Sequence, residues 1–350
     1  MISNTFCKLS GHVVRTCLTD SAQFFSNVAS RTAQNKVSSF SVNNKTFVRI
    51  KTKYKTKMTD EWLQIGNYSV FPWSISGVET CVVIKTNGPT LTFDLGYSCR
   101  SSVSSNLVFF SHGHMDHISG IAQHAAKRSL YGMKPAKYYS PVHLVEPLNS
   151  LCKMYGSIAG NIPELEKMNI IPAPVGEVIN LPSGLKIKPF PTTHRCPSQG
   201  YMMYQNVKNL KEEFVGKPSQ EIAQLVKSGV QIHDEYDVPE LAYTGDTTFD
   251  VFTNPPTEDL FRVKLLITEA TYIDQEPGKD QIQKARGRGH MHLQEIADNA
   301  DMFKNVENIL LIHFSDKYST KYVQETVKKT LPDSIVNKVH IATIAKEIYG

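Results

Sequence analysis

From Met58 onward, short apolar runs alternate with turn signals and with stretches of helical spacing. Residues 68–84 (YSVFPWSISGVETCVVI) read as strand, turn, strand, and 90–95 as a further strand closed by Gly96. Residues 106–110 (NLVFF) predict another, followed by the polar segment SHGHMDHISG and helical spacing from Ile118 to Leu130. The second half repeats the style, with strands predicted at 185–190, 200–204, 241–244, 263–268 and 309–313. Helices are predicted at 145–155, 219–228, 292–304 and 320–330. Strands and helices mixed at these intervals predict an α/β body of four layers, αββα, with two packed sheets and helices outside. No run approaches ~18 consecutive apolar residues, so no membrane-spanning helix is predicted.

Composition changes the picture mainly at the N-terminus. The 350 residues hold 38 Lys and Arg against 33 Asp and Glu, but the excess is uneven. Residues 1–57 carry ten basic side chains (Lys8, Arg15, Arg31, Lys36, Lys45, Arg49, Lys51, Lys53, Lys55 and Lys57) and one acid, Asp20. The other 293 residues carry 28 basic and 32 acidic side chains, so the body shows no polyanion-binding composition. A basic, Ser- and Thr-rich leader nearly free of acid predicts an organelle transit peptide without fixed structure, mitochondrial or else plastid. The other reading is a basic tail touching nucleic acid through Lys51–Lys57. Translation from Met58 would yield a leaderless cytosolic form. Residues 58–350 are then one catalytic domain. Six Cys without a CxxC pair exclude a disulfide scaffold and a cysteine zinc ribbon.

The sharpest chemistry lies in His112-Gly113-His114-Met115-Asp116-His117, four strong metal ligands within six residues, on a loop after a strand. Imidazole and carboxylate at this density suit zinc above manganese or iron. Three further candidates stand at predicted strand ends: His194, Asp246 and His313. Together they fill two zinc sites, one from His112, His114 and His194, the other from Asp116, His117 and His313, with Asp246 bridging. Two such ions share a water, lower its pKa and yield a hydroxide nucleophile, which serves phosphodiester, ester or amide hydrolysis alike.

The loop His112–His117 with Gly120 resembles the HxHxDHxxG signature of the metallo-β-lactamase superfamily. Further segments resemble the short-form ribonuclease Z family, the tRNA 3′-processing endonucleases. These are Phe93-Asp94-Leu95-Gly96, Thr193-His194 with Ser198-Gly200-Tyr201, Tyr243–Thr247, Thr268–Tyr272, Ala285-Arg286 through Gly289-His290, and His313-Phe314-Ser315. The resemblance spans about residues 62–330. It implies the αββα fold, two zinc ions, a homodimer, and cleavage of precursor tRNA after the discriminator base. It assigns the same seven ligands, places Asp116 in the catalytic set and adds His290 as the general acid for the departing 3′-oxygen. Glu269 is the candidate that orients and charges His290, and Asp94 the partner of a ligand histidine.

Arg286 and Arg288, in an Arg-Gly-Arg stretch beside His290, are candidates for phosphate contact. His292 reads as a surface residue starting a helix, His124 and His143 as structural, and Cys196 as a small packed residue. Two departures stand out. Family members often carry a long basic arm before the bridging aspartate, whereas residues 206–240 here are a reduced, net acidic counterpart. Where the last family motif continues to Arg-Tyr, this chain has Lys317-Tyr318. Competing readings are a hydrolase of small esters, thioesters or phosphodiesters on the same fold, and a non-catalytic RNA-binding relative.

Overall fold

The computed structural model describes residues 62–350 apart from 161, 167, 275–278 and 350, together with the backbone of two strands near the N-terminus. Those two, β1 (Ser38–Val42) and β2 (Lys45–Arg49), pair antiparallel as a unit of their own. The remainder of the predicted leader lies outside the described residues.

The body holds two seven-stranded sheets whose strands follow chain order. The first contains β3 (Leu63–Ile65), β4 (Tyr68–Ile75), β5 (Glu79–Lys85), β6 (Thr90–Phe93), β7 (Leu107–Phe109), β8 (Lys137–Ser140) and β9 (Asn169–Pro172). The second contains β10 (Ile179–Asn180), β11 (Leu185–Thr192), β12 (Ser198–Leu210), β13 (His233–Tyr243), β14 (Leu265–Glu269), β15 (Asn308–Ile312) and β16 (Val339–Ile341). Each sheet begins antiparallel and turns parallel, at the β6–β7 pair and at the β13–β14 pair. Parallel strands are covered on both faces, which is why Leu265–Glu269 is buried throughout instead of alternating.

Three apolar layers follow. Phe93, Phe109, Tyr201, Tyr243 and Leu310 pack between the sheets. Helices Ile121–Leu130 and Val145–Ile158 close over the outer face of the first sheet through Ile121, Leu148 and Cys152. Helices Leu293–Asp298 and Thr320–Thr330 cover the second through Leu293, Ile296, Val323 and Val327. The αββα expectation therefore holds. Residues 206–240, where a reduced arm-like insertion was expected, extend the second sheet. β12 and β13 run on as one long hairpin to Leu210↔His233, and helix Ser219–Lys227 lies within the connection. Two of the segment's four lysines are paired, Lys208 with Glu235 and Lys217 with Glu221, and its seven acidic side chains outnumber its basic ones. Among the described residues, no helix is long and apolar enough to cross a membrane.

This topology positions the chemistry. Six strands, β6, β7, β11, β13, β14 and β15, end at the same rim, and each carries a predicted site residue at its last position or in the loop that follows.

Candidate metal centre

The seven predicted ligands converge in two groups. His112, His114 and His194, joined by Cys196, form one; Asp116, His117, Asp246 and His313 form the other. His114 Nδ1 and His194 Nε2 face each other at 3.2 Å, and His117 Nε2 and His313 Nε2 at 3.4 Å. Asp246 Oδ2 lies 3.3 Å from both His117 Nε2 and His313 Nε2, 3.7 Å from His112 Nε2 and 4.0 Å from His194 Nε2. Asp116 Oδ2 is 3.5 Å from His117 Nε2 and 3.4 Å from His313 Nε2. A tetrahedral cation with ~2.0–2.1 Å bonds separates its ligand atoms by about 3.3–3.4 Å, so these spacings fit a metal. Two of the atoms fit the same picture: His112 Nε2 and Asp246 Oδ1 are buried with no hydrogen-bond partner in the protein, as unfilled ligand atoms would be.

The orientation of the rings has a common cause. His117 Nδ1 donates to Asp94 Oδ2 (2.7 Å) and His194 Nδ1 to the Gly289 carbonyl (2.6 Å). The Ser111 hydroxyl donates to Asp94 Oδ2 and therefore accepts from His112 Nδ1 (2.9 Å). The Thr271 hydroxyl donates to Glu269 and accepts from His313 Nδ1 (2.9 Å). In all four, one ring nitrogen is held from outside and Nε2 turns inward with its lone pair free, the tautomer a ligand needs. Burial also disfavours protonation of His112, and the neighbouring imidazole of His117 adds to that. Asp94 thus carries the role expected of it, taking three donors on one oxygen, the third from the Tyr243 hydroxyl at 2.5 Å.

Close approach requires glycine at two points. A Cβ on Gly96 would fall 1.8 Å from the Asp116 carbonyl oxygen, so the loop after β6 can lie against the ligand loop only without a side chain. Gly289, at φ +78°, offers its carbonyl to His194; a Cβ there would sit 2.8 Å from the Arg195 nitrogen.

His290 stands beside the cluster, its ring 5.0 Å from that of His194 and 5.3 Å from that of His313. Its Nδ1 donates to Glu269 Oε1 at 2.9 Å. Glu269 is fully buried and also accepts from the Thr247 amide at 2.7 Å. Burial opposes a charged imidazole, but the Glu269 charge and hydrogen bond prevail and lift the His290 pKa to about 9. The pair is an imidazole whose protonated form the buried Glu269 carboxylate favours, set beside the cluster of possible metal ligands.

Other predicted residues divide. Arg286 Nε donates to Glu295 Oε1 at 2.6 Å, while Arg288 is exposed and donates to the Tyr272 hydroxyl at 2.9 Å. Lys317 pairs with Asp274 and lies over the Tyr318 ring. His124 is structural, buried between Tyr138 and the Ser102 carbonyl, and His143 is exposed. His292 starts its helix as expected but is buried, not on the surface. Its Nδ1 accepts from the Gln294 amide and its own amide donates to Glu295, a reciprocal cap, while Nε2 is buried without a partner. Cys196 is no mere packed residue, since its Sγ lies 3.7 Å from His114 Nε2. Ser111, Thr271, Tyr243 and Gly289 were not anticipated. Each adjoins or lies within a motif that was, and that adjacency is the signal available for them.

A family model described as a β-lactamase superfamily domain matches residues 98–314. The chain is 36% identical over 281 residues to tRNase Z TRZ1 of Arabidopsis thaliana, spanning 80% of this chain and 97% of the relative. It is 33% identical over 279 residues to the chloroplastic tRNase Z TRZ2 of the same plant, covering 79% and 76%. Among solved structures, the metallo-β-lactamase fold protein YhfI from Bacillus subtilis matches with a TM-score of 0.51 at 15% identity, covering 79% of this chain and 96% of that one.

Proposed function

The chain belongs to the tRNase Z family of the metallo-β-lactamase superfamily, and from this premise we propose that it is a zinc-dependent endonuclease that removes 3′ trailers from precursor tRNA. The cut falls after the discriminator base and leaves a 3′-hydroxyl on the tRNA. The observation that carries this reading is the His290–Glu269 pair set against the seven-donor cluster. A thioester leaves as a thiolate and has far less need of a protonated imidazole at that place than a departing 3′-alkoxide has.

His112, His114 and His194 would hold one zinc ion and Asp116, His117 and His313 a second, with the Asp246 carboxylate within reach of both groups. Such a pair of cations, when bound, supplies Lewis acidity toward phosphodiester oxygens and lowers the pKa of solvent in the site. The protein does the rest. Asp94, Ser111, Thr271 and Gly289 fix the ligand rings, so no reorganisation accompanies the reaction. Glu269 binds Nδ1–H of His290 and keeps a second proton on Nε2. That proton passes to the 3′-oxygen of the discriminator nucleotide as the phosphorus–oxygen bond breaks, so the tRNA departs with a 3′-hydroxyl and not as an alkoxide, and the trailer keeps the phosphate at its 5′ end. Arg288, with the outer N–H groups of Arg286, meets substrate phosphates.

The enzyme acts as a homodimer. Leu130, Tyr131, Met154 and Ile158, in or next to the two helices over the first sheet, are exposed apolar side chains available to such a contact. The basic leader directs the chain to mitochondria, with plastids the alternative. Residues 1–57 fused to a fluorescent reporter test this, and a diffuse cytosolic signal refutes it.

The decisive assay is cleavage of a 3′-extended tRNA transcript with end mapping. Product ending at the discriminator base, lost on chelation and in His290→Ala, supports the proposal. Thioester turnover with no cut in the transcript overturns it.

A further inference from the structure

Each ligand imidazole must have its non-ligating nitrogen engaged, or the ring swings and its tautomer is undefined. Four of the five have oxygen acceptors there, on Asp94, Ser111, Thr271 and Gly289. His114 is built the other way round. Its Nδ1 faces His194 Nε2 at 3.2 Å, inside the cluster, and Nε2 points outward. Among the described residues, the hydrogen bond found at that outward nitrogen goes to the Cys196 sulfur, at 3.7 Å.

We infer that Cys196 is the positioning residue of His114: its sulfur accepts the Nε2–H, which fixes the tautomer that turns Nδ1 inward. The ring lies between the sulfur and Nδ1, so the thiol acts from behind its ligand and not as a ligand itself. Position also favours this role. Cys196 follows His194 by two residues on the loop after β11, so one short segment delivers a ligand and the support of a second ligand 80 residues away. The buried, unpartnered His112 Nε2 marks the cavity these rings enclose. The inference rests on the metal reading given under Proposed function.

The test uses full-length protein, stripped of metal and titrated with zinc against a chromophoric chelator, and separately with cobalt. Wild type, Cys196→Ala and Cys196→Ser are compared, with circular dichroism and melting of the metal-free proteins as the check on folding. Cys196→Ala is expected to weaken one of two zinc equivalents by about 10- to 100-fold. Cys196→Ser, whose hydroxyl also accepts a hydrogen bond, restores most of that affinity. Cobalt-loaded wild type shows no sulfur-to-cobalt charge-transfer band. Equal zinc affinity in wild type and Cys196→Ala overturns the inference, as does loss in Cys196→Ala that Cys196→Ser does not recover. A charge-transfer band in wild type, lost in Cys196→Ala, also overturns it and makes the sulfur a ligand. Wild type that takes up no zinc or cobalt overturns the metal reading itself, and the inference with it.

Discussion

Replacing Glu269 by Gln removes a charge from behind His290 while keeping a group of the same shape. The Gln carbonyl can take the place of Oε1, accepting from the Thr247 amide and His290 Nδ1. Its amide then meets the Thr271 hydroxyl, which can turn and accept. What changes is the charge. Burial works against protonating His290, and Glu269 supplies the two largest opposing influences that bring its pKa to about 9. With the carboxylate gone, burial is left to act, and the pKa falls to about the ordinary 6.5 or below. Metal ions nearby lower both values, so the prediction is set on the separation, at least about two pH units, or ~3 kcal/mol. Above both values the protonated fractions differ by the full separation, so at alkaline pH turnover that needs this proton falls by up to roughly 100-fold. The assay is kcat/KM on a 3′-extended tRNA from about pH 5.5 to 9.5, with zinc content measured on the same samples. Glu269→Gln is expected to move the alkaline limb down by about two pH units and to converge with wild type in acid. His290→Ala should lose that limb and about 10²- to 10⁴-fold in rate. A Glu269→Gln variant with full zinc content and an unmoved alkaline limb refutes the reasoning.

Asp246→Asn should bring zinc content below two equivalents and cut turnover at least about 100-fold, because one oxygen of Asp246 faces four ligand imidazoles and the other has no protein partner; atomic absorption and transcript cleavage check it. Gly289→Ala forces a side chain onto φ +78° and against the Arg195 amide, costing about 1–2 kcal/mol from the dihedral alone. A melting point lower by several degrees, with weaker zinc binding through His194, is the expected result. His124 gives a pH prediction away from the metal centre. Burial holds its pKa at about 4, so between pH 6.5 and 4 the unfolded chain binds a proton that the folded chain refuses. Stability is lost as pH falls through that window, up to about 3 kcal/mol from this residue. Urea unfolding of His124→Asn should show a shallower loss than wild type between those pH values.

The helices at 145–155, 219–228 and 320–330 were legible because their apolar spacing is long enough to separate 3.6 from 2 residues per repeat. β8, β9 and β16, of three or four residues each, were not predicted, since so short a run carries no period. The outer halves of β12 and β13 escaped for a different reason. Asn206–Leu210 and His233–Val238 are polar, mostly exposed strands whose order comes from pairing with each other and not from burial. His292 was misplaced because a polar residue at a helix start is ordinarily wet. Its burial depends on the reciprocal hydrogen bonds with Gln294 and Glu295 that only the folded turn supplies.

The site divides along the same line, and the division has a chemical cause. The inward half was readable because few side chains bind a metal, so His112, His114, Asp116, His117, His194, Asp246 and His313 announce themselves by type and by position at strand ends. The outward half needs only an acceptor, and many groups qualify. Here the work is shared by a carboxylate (Asp94), two hydroxyls (Ser111 and Thr271), a backbone carbonyl (Gly289) and a thiol (Cys196). No residue type marks that role, and the partners lie from 1 to 95 positions from the rings they hold. Sequence resemblance drew attention to Asp94 because it lies in a motif, but it had no means to join Cys196 to His114, 82 residues apart. The fold joins them because the parallel halves of the two sheets and the β11–β12 turn all end at one rim. A change in any acceptor should therefore surface as altered metal affinity before it surfaces as altered fold.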